Sequence, residues 1–210
     1  MHPAPTPAVL SVNVGTVREV EWRGEVVRTG IWKSSVGDAA VMVRGVNLDG
    51  DDQADRRVHG GADKAVYAYA EEDYAWWRDE KGVATEPGLF GENLTTRAID
   101  LGLALVGERW RVGEALLEVA QPRLPCFKLG IRMADPFFPK RFQAAGRLGA
   151  YLRIVEPGRV RAGDPVVAVA RPAHGVTLAM LAAAMRDDAL VAPVLAVPDL
   201  PASWRRMLGG

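Results

Sequence analysis

Three stretches of this 210-residue chain carry residue types that could do chemistry. The first is QPRLPCFKLG, residues 121–130, which holds the only cysteine, Cys126, between Arg123 and Lys128. A single sulfhydryl cannot form an internal disulfide, so Cys126 is a small packing residue, a reactive thiolate or a metal ligand. Nearby cations favour the thiolate, which is the nucleophilic and metal-binding form, and Pro122 and Pro125 stiffen the segment that holds it. The second is HGGADK, residues 59–64. Paired glycines let the backbone approach a ligand and turn N–H groups toward an oxyanion, and Lys64 adds a positive charge; paired glycines also simply make turns. The third is FGENL, residues 90–94. Asn93 offers both a donor and an acceptor to a heterocycle edge, although Gly91, Glu92 and Asn93 would serve equally to close a turn.

Lys33 in GIWKSSV and Arg44 are further cations, of the kind that is usually solvated when it stands alone. The acid-rich DGDDQAD, residues 49–55, does not make an EF-hand loop, because the twelfth position from Asp49 is Gly60 rather than glutamate. CxxC, HExxH, GxGxxG, Walker and GxSxG patterns are absent, which excludes the common zinc, dinucleotide, P-loop and α/β-hydrolase sites.

The elements that must position these stretches are mostly short strands. VLSVNVG, EVEW, EVVRTGIW and AVMVRGVNL are β-branched runs cut by glycines. Residues 45–61 have no period and read as a long exposed loop. KAVYAYA predicts a strand and EEDYAWWRDEKG a helix, with acids in its first turn and Gly82 as its stop. FGENLT, LALVGERWRV and EALLEVAQ read as strands, the last leading into the cysteine loop. PFFPKRFQAAG predicts a helix, and AYLRIVEPGRVRAGDPVVAVAR two strands about a Pro-Gly turn. Such a succession points to a mainly β, α/β-class fold: a closed β-barrel with helical insertions over residues 9–171, after a loose arm at 1–8. Residues 172–210 change style. VTLAMLAAAMRDD, capped by Thr177, and two shorter helical segments (the last opened by Pro201 or Ser203) form a small three-helix unit.

With 26 basic and 26 acidic residues the chain lacks the basic excess of a general nucleic-acid binder, while a local basic pocket for a small anion stays open. MHPAPTPAVL has neither the basic start nor the apolar core of a signal peptide, and no apolar run reaches membrane-spanning length. One cysteine suits a reducing compartment, and the expected location is the cytoplasm.

Taken in order, GIWK, GDDQADRRVHGGADKAVYAY, FGENLT, QPRLPCFKL and GAYLRIVEPGRVRAGD resemble the MOSC domain, named for the C-terminal domain of molybdenum cofactor sulfurases. The likeness is nearest to its YiiM-like branch, which adds a short C-terminal three-helix unit, and it covers about residues 9–210. The resemblance implies a barrel-like fold with a pocket for the molybdopterin form of molybdenum. Cys126 then matches the family's signature cysteine, which either ligates molybdenum or carries sulfur as a persulfide. His59, Gly60, Gly61 and Lys64 match the His-Gly-Gly loop, Glu92 and Asn93 the Gly-Glu-Asn motif, and Arg123 and Lys128 the cations about the cysteine. Lys33 is a candidate for the cofactor's phosphate, although Ser34, Ser35 and Val36 stand after it where the family's run leads one to expect a proline.

The implied activity is reduction of N-hydroxylated base analogues such as 6-hydroxylaminopurine. No Fe–S cysteine set is present, so a separate electron-donating reductase is the implied partner. Two other readings stand beside this one: a non-redox sulfur carrier or cofactor-delivery module, and a pyridoxal-phosphate module using Lys64 or Lys33. A homodimer built through the C-terminal helices is an arrangement that the sequence leaves open.

Overall fold

The computed structural model describes residues 5–54 and 60–209. The strands are β1 (Ala8–Val14), β2 (Arg18–Trp22), β3 (Glu25–Thr29), β4 (Ser34–Ser35), β5 (Val41–Arg44), β6 (Asn47–Leu48), β7 (Val66–Ala70), β8 (Leu94–Arg97), β9 (Arg109–Val112), β10 (Ala115–Pro122), β11 (Ala150–Glu156), β12 (Gly158–Val160) and β13 (Val166–Ala170). The α-helices are α1 (Glu71–Lys81), α2 (Phe127–Arg132), α3 (Phe138–Ala145), α4 (Leu178–Ala183), α5 (Val191–Leu195) and α6 (Ala202–Gly209).

Eight strands form one mixed sheet in the order β13-β9-β10-β11-β7-β8-β1-β4. Its pairs are antiparallel except β7 with β8, and α1 supplies the crossover that a parallel pair requires. The closed barrel expected from the many short strands does not form among the described residues. The other five strands make two small sheets instead, β12-β5-β6 and the β2-β3 hairpin. β1 runs beside the segment that leads into β13: an isolated bridge joins Ala8 and Pro165, and the N–H groups of Val9, Gly163 and Val166 donate to the carbonyls of Asp164, Val9 and Pro7, each at 2.9 Å.

β7 shows how the pattern VYAYA sets the layers. All five residues are buried. Val66, Ala68 and Ala70 face an aliphatic core shared with Val9, Leu117 and Val119. Tyr67 and Tyr69, on the opposite face, join an aromatic core with Tyr74, Trp77, Phe90, Phe138 and Phe142. The alternation of two residue sizes thus becomes two cores on either side of one strand. α1 ends as predicted: Gly82 takes the left-handed conformation with φ 63°, and its N–H donates to the Arg78 carbonyl at 3.0 Å.

Several boundaries differ from the sequence reading. In EVVRTGIW the strand stops at Thr29 and Gly30–Trp32 leave it, while AVMVRGVNL makes two short strands on either side of Gly45, as a run cut by glycine should. In LALVGERWRV the strand is only Arg109–Val112; before it Asp100 accepts the N–H groups of Gly102 and Leu103 (2.9 and 3.3 Å) and starts a 3₁₀ turn, and Leu105 makes an isolated bridge to Thr177. AYLRIVEPGRVRAGDPVVAVAR makes three strands, not two, and Cys126 opens the short helix α2 rather than sitting in a loop.

The C-terminal helices share the aliphatic core. Leu178, Leu181, Val194 and Val197 pack in the same cluster as the strands, and Trp204 is fully buried. The Trp204 indole donates to the Gln121 side-chain oxygen at 2.7 Å, tying α6 to β10. Thr177 caps α4 as predicted, accepting the Met180 N–H at 3.1 Å. Thr177→Ala is expected to lower stability by about 1 kcal/mol, whereas Thr177→Ser keeps the cap; equal urea midpoints for the two variants would contradict this.

Candidate active site

The floor of the site is a buried polar knot. Asn93 stands at the entrance to β8 and reaches both neighbouring strands. Its backbone N–H donates to the Tyr67 carbonyl (2.7 Å), its side-chain oxygen accepts the Tyr67 N–H (3.1 Å), and its own carbonyl accepts the Asn13 N–H (2.7 Å). Its amide nitrogen donates to Asp51 Oδ2 at 3.0 Å. Asp51 also accepts the Gly15 N–H (2.9 Å) and the Lys33 ammonium. The Lys33 and Asp51 side chains are 7% and 0% exposed. Burial lowers the Lys33 pKa; the attraction of Asp51 opposes this without cancelling it.

Glu92, next in the chain to Asn93, holds the loop rather than the pocket. Its Oε1 accepts the Gly88 N–H (2.6 Å), the Tyr74 hydroxyl (2.7 Å) and the Thr95 hydroxyl (2.9 Å), and burial raises its pKa. Gly91 has φ 79°, and a Cβ there would lie 2.9 Å from Ile31 Cγ1, so glycine is required on steric and conformational grounds. FGENL therefore does close a turn, and the turn is what aims Asn93.

The opposite wall is built from residues 123–128, just beyond the end of β10, and from Tyr151 of β11. Arg123 is 6% exposed. Its guanidinium donates to the Phe90 carbonyl and lies over the Tyr67 ring, 4.9 Å from the centroid. It makes no ion pair with a carboxylate among the described residues. Burial opposes its charge, but the electronegative Tyr67, Tyr151 and Cys126 around it outweigh burial and raise its pKa. Three residues on, Cys126 is half-buried at the N-cap position of α2, where its carbonyl accepts the Leu129 N–H at 3.0 Å. Lys64 faces the same centre from the 3₁₀ turn Ala62–Lys64: burial lowers its pKa, against the attraction of Asp63 and Cys126. That turn is anchored to the sheet. Arg153 donates to Asp63 Oδ1 (2.6 Å) and the Gln121 amide to the Asp63 carbonyl (3.0 Å).

These walls enclose a cleft of about 590 Å³, part of it open to solvent. Six of the residues singled out in the sequence line it: Lys33, Lys64, Asn93, Arg123, Cys126 and Lys128. Glu92 lies behind it, and Gly60 and Gly61 are not among its walls. His59 lies outside the described residues. Sequence reasoning missed Tyr67, Tyr151, Gln53 and Asp52, which also line the cleft, and Asp51 beneath it. The alternation in VYAYA could have flagged Tyr67, since only one face of that strand can serve the aliphatic core. Nothing local distinguishes Asp51 from the other acids of DGDDQAD.

Chemically, the cleft joins one sulfur to four cationic side chains. No group of three or more His, Cys, Asp or Glu residues stands ready to hold a metal ion among the described residues. Among the described residues a bare ion thus finds no ligand cluster in the cleft. One sulfur beside ammonium and guanidinium groups is a donor set whose chemistry suits a soft metal carrying its own anionic organic ligand. No helix among the described residues is long and apolar enough to cross a membrane.

Known proteins resemble this chain in both sequence and fold. Residues 55–167 match the family model of the MOSC domain. Protein YiiM of Escherichia coli is 33% identical over 177 residues, which are 81% of this chain and 79% of that protein. A protein named Reductase from Gibberella moniliformis is 34% identical over 177 residues; they make up 81% of this chain but only 31% of that protein. The crystal structure of YiiM from Geobacillus stearothermophilus superimposes with a TM-score of 0.78 at 28% identity, covering 97% of each chain.

Proposed function

This chain belongs to the MOSC-domain family, and from that premise we propose that it is a molybdenum-cofactor enzyme that reduces N-hydroxylated compounds to their N–H forms. The observation that carries the reading is the cleft: a single sulfur among four cations, with no cluster of ligands for a bare metal ion among the described residues. A relative that bears the name Reductase supports reductive chemistry.

The residues present fit such a group. Cys126 would ligate the molybdenum, and Lys64, Arg123 and Lys128 would receive the pterin and its phosphate. Lys33 is engaged by Asp51, so it adds a donor at the wall rather than a mobile charge. Asn93 has its hydrogen bonds committed to Tyr67, Asp51 and β1, and so it shapes the pocket instead of reaching into it. When bound, the cofactor supplies two-electron chemistry that the side chains alone do not have. The chain's own residues bind and orient, keep cations near developing negative charge, and wall off water on the side of the aromatic core. Electrons come from a separate reductase, and the cytoplasm, which keeps Cys126 a thiol, is the proposed location.

The test is direct. Protein made in cells that synthesise the cofactor, and purified anaerobically, is expected to carry about one molybdenum per chain, the stoichiometry of a single thiolate ligand. It should also convert 6-hydroxylaminopurine to adenine with a reduced low-potential dye as donor. Metal-free protein with a labile extra sulfur on Cys126 in its intact mass would replace this reading with that of a sulfur carrier.

A further inference from the structure

Nearly every polar group on the cleft wall has a protein partner. The Thr29 hydroxyl accepts the Ile31 N–H, Lys33 holds Asp51, Asn93 is saturated, Arg123 holds the Phe90 carbonyl, and the Tyr67 hydroxyl donates to the Leu148 carbonyl at 2.9 Å. The Tyr151 hydroxyl differs. It lines the cleft and makes no hydrogen bond among the described residues.

Its position is nevertheless fixed. Tyr151 sits in β11 with a ladder on both sides, opposite Gln121 of β10 and opposite Tyr67 of β7. Its ring rests against that of Tyr67, with centroids 5.0 Å apart. Arg123 and Cys126 are close enough to act on the phenol electrostatically. A half-buried phenol in a strand paired on both sides, lining the same cleft as the thiol and without a hydrogen-bond partner among the described residues, is a donor available to a ligand.

We propose that the Tyr151 hydroxyl is a catalytic hydrogen-bond donor to the oxygen of the substrate's N–OH group. The inference rests on the reductase reading, which asks for such a group. The overall change is R–NH–OH + 2 e⁻ + 2 H⁺ → R–NH₂ + H₂O, with the two electrons from a flavin or iron–sulfur reductase and the protons from solvent. The N–O bond breaks, its electron pair leaves with oxygen, and that oxygen becomes water. A donor aimed at it stabilises the charge that develops as the bond lengthens. Burial raises the phenol's pKa, so Tyr151 stays protonated and remains a donor throughout the neutral range. The same contact discriminates substrate from product, because the amine lacks the oxygen that accepts it. It also gives an acceptor to a hydroxyl that has none among the described residues.

Tyr151→Phe removes one oxygen and keeps the ring, the strand and the stack on Tyr67. Binding of 6-hydroxylaminopurine and of adenine to the holoprotein, measured by calorimetry without reductant, gives a readout independent of turnover. Wild type is expected to prefer the hydroxylated base by about tenfold, the value of one hydrogen bond in a desolvated site, and the variant by close to onefold. With the dye donor, kcat/KM should fall by roughly 10²-fold while molybdenum content stays at the wild-type level. An unchanged binding ratio overturns the assignment. So does a variant that loses its molybdenum, because Tyr151 then belongs to the cofactor. A wild-type protein without molybdenum that still shows the tenfold preference, lost in the variant, would leave Tyr151 as the hydroxyl-binding group and remove the reductase reading alone.

Discussion

Cys126→Ala protein, produced in cofactor-competent cells and purified without oxygen, is expected to lose both its molybdenum and its reduction of N-hydroxylated bases. The loss in turnover should exceed about a hundredfold, since even groups that merely support a metal ligand cost up to that much when removed. Cys126→Ser should fare little better, because a hard hydroxyl replaces the soft sulfur and is not ionised at neutral pH. The fold should not register either change. Cys126 is half-buried and belongs to neither the aliphatic nor the aromatic core, so no large cavity opens. Thermal unfolding of the apoproteins within about 2 °C of wild type, below the shift that 1 kcal/mol gives a chain of this size, would accord with a functional thiol. A large drop, with metal retained, would return Cys126 to the role of a packing residue.

Asp51→Ala is expected to act in the opposite way, through the fold. It strands the Lys33 ammonium in a place where that side chain is only 7% exposed. Breaking a buried pair by removing one partner costs roughly 3–5 kcal/mol, because an uncompensated charge is left behind. The Gly15 N–H and the Asn93 amide lose their acceptor in the same step. The direction of the Lys33 shift sharpens the expectation. Burial already outweighs the attraction of Asp51, so the lysine has no surplus stabilisation to lose. Lys33→Met combined with Asp51→Leu should recover a large part of the deficit, since apolar replacement of a buried pair is often near neutral. Urea unfolding decides: a single-variant loss below about 1 kcal/mol, or a double variant no better than the single, would show that the pair is not the keystone of the cleft floor.

The sequence made some of this architecture legible and hid the rest for identifiable reasons. KAVYAYA, the α1 helix with its Gly82 stop and the Thr177 cap were readable because each rests on local chemistry that needs no partner in space. Closure of the sheet was not readable. Period-two alternation is the same in an open sheet and a barrel, and what separates them is which distant strand each edge meets. α2, six residues long, is too short for its sequence to nucleate alone, so the cysteine segment looked like a loop. The cations and the thiol stood out by residue type. Asp51 did not, because an acid among acids gives no sign of which one will be buried, and Tyr151 did not, because a strand's alternation does not say which face will meet an opening. Glu92 was visible by its motif but for a different duty, that of fastening the turn that aims its neighbour.

Gln121 has two ends and uses both. Its oxygen accepts a hydrogen bond from the Trp204 indole N–H of the last helix, and its amide N–H donates one to the Asp63 carbonyl in the turn that presents Lys64. One planar amide, a few residues ahead of Cys126, thus spans the distance between the tail of the chain and the mouth of the cleft. The two bonds share a single rigid group, so neither can be adjusted without the other. For anyone who would shorten, tag or graft this protein, the C-terminal helices are not detachable trim. Through Gln121 they brace the turn that carries Lys64, so a change at Trp204 reaches the cleft without touching it.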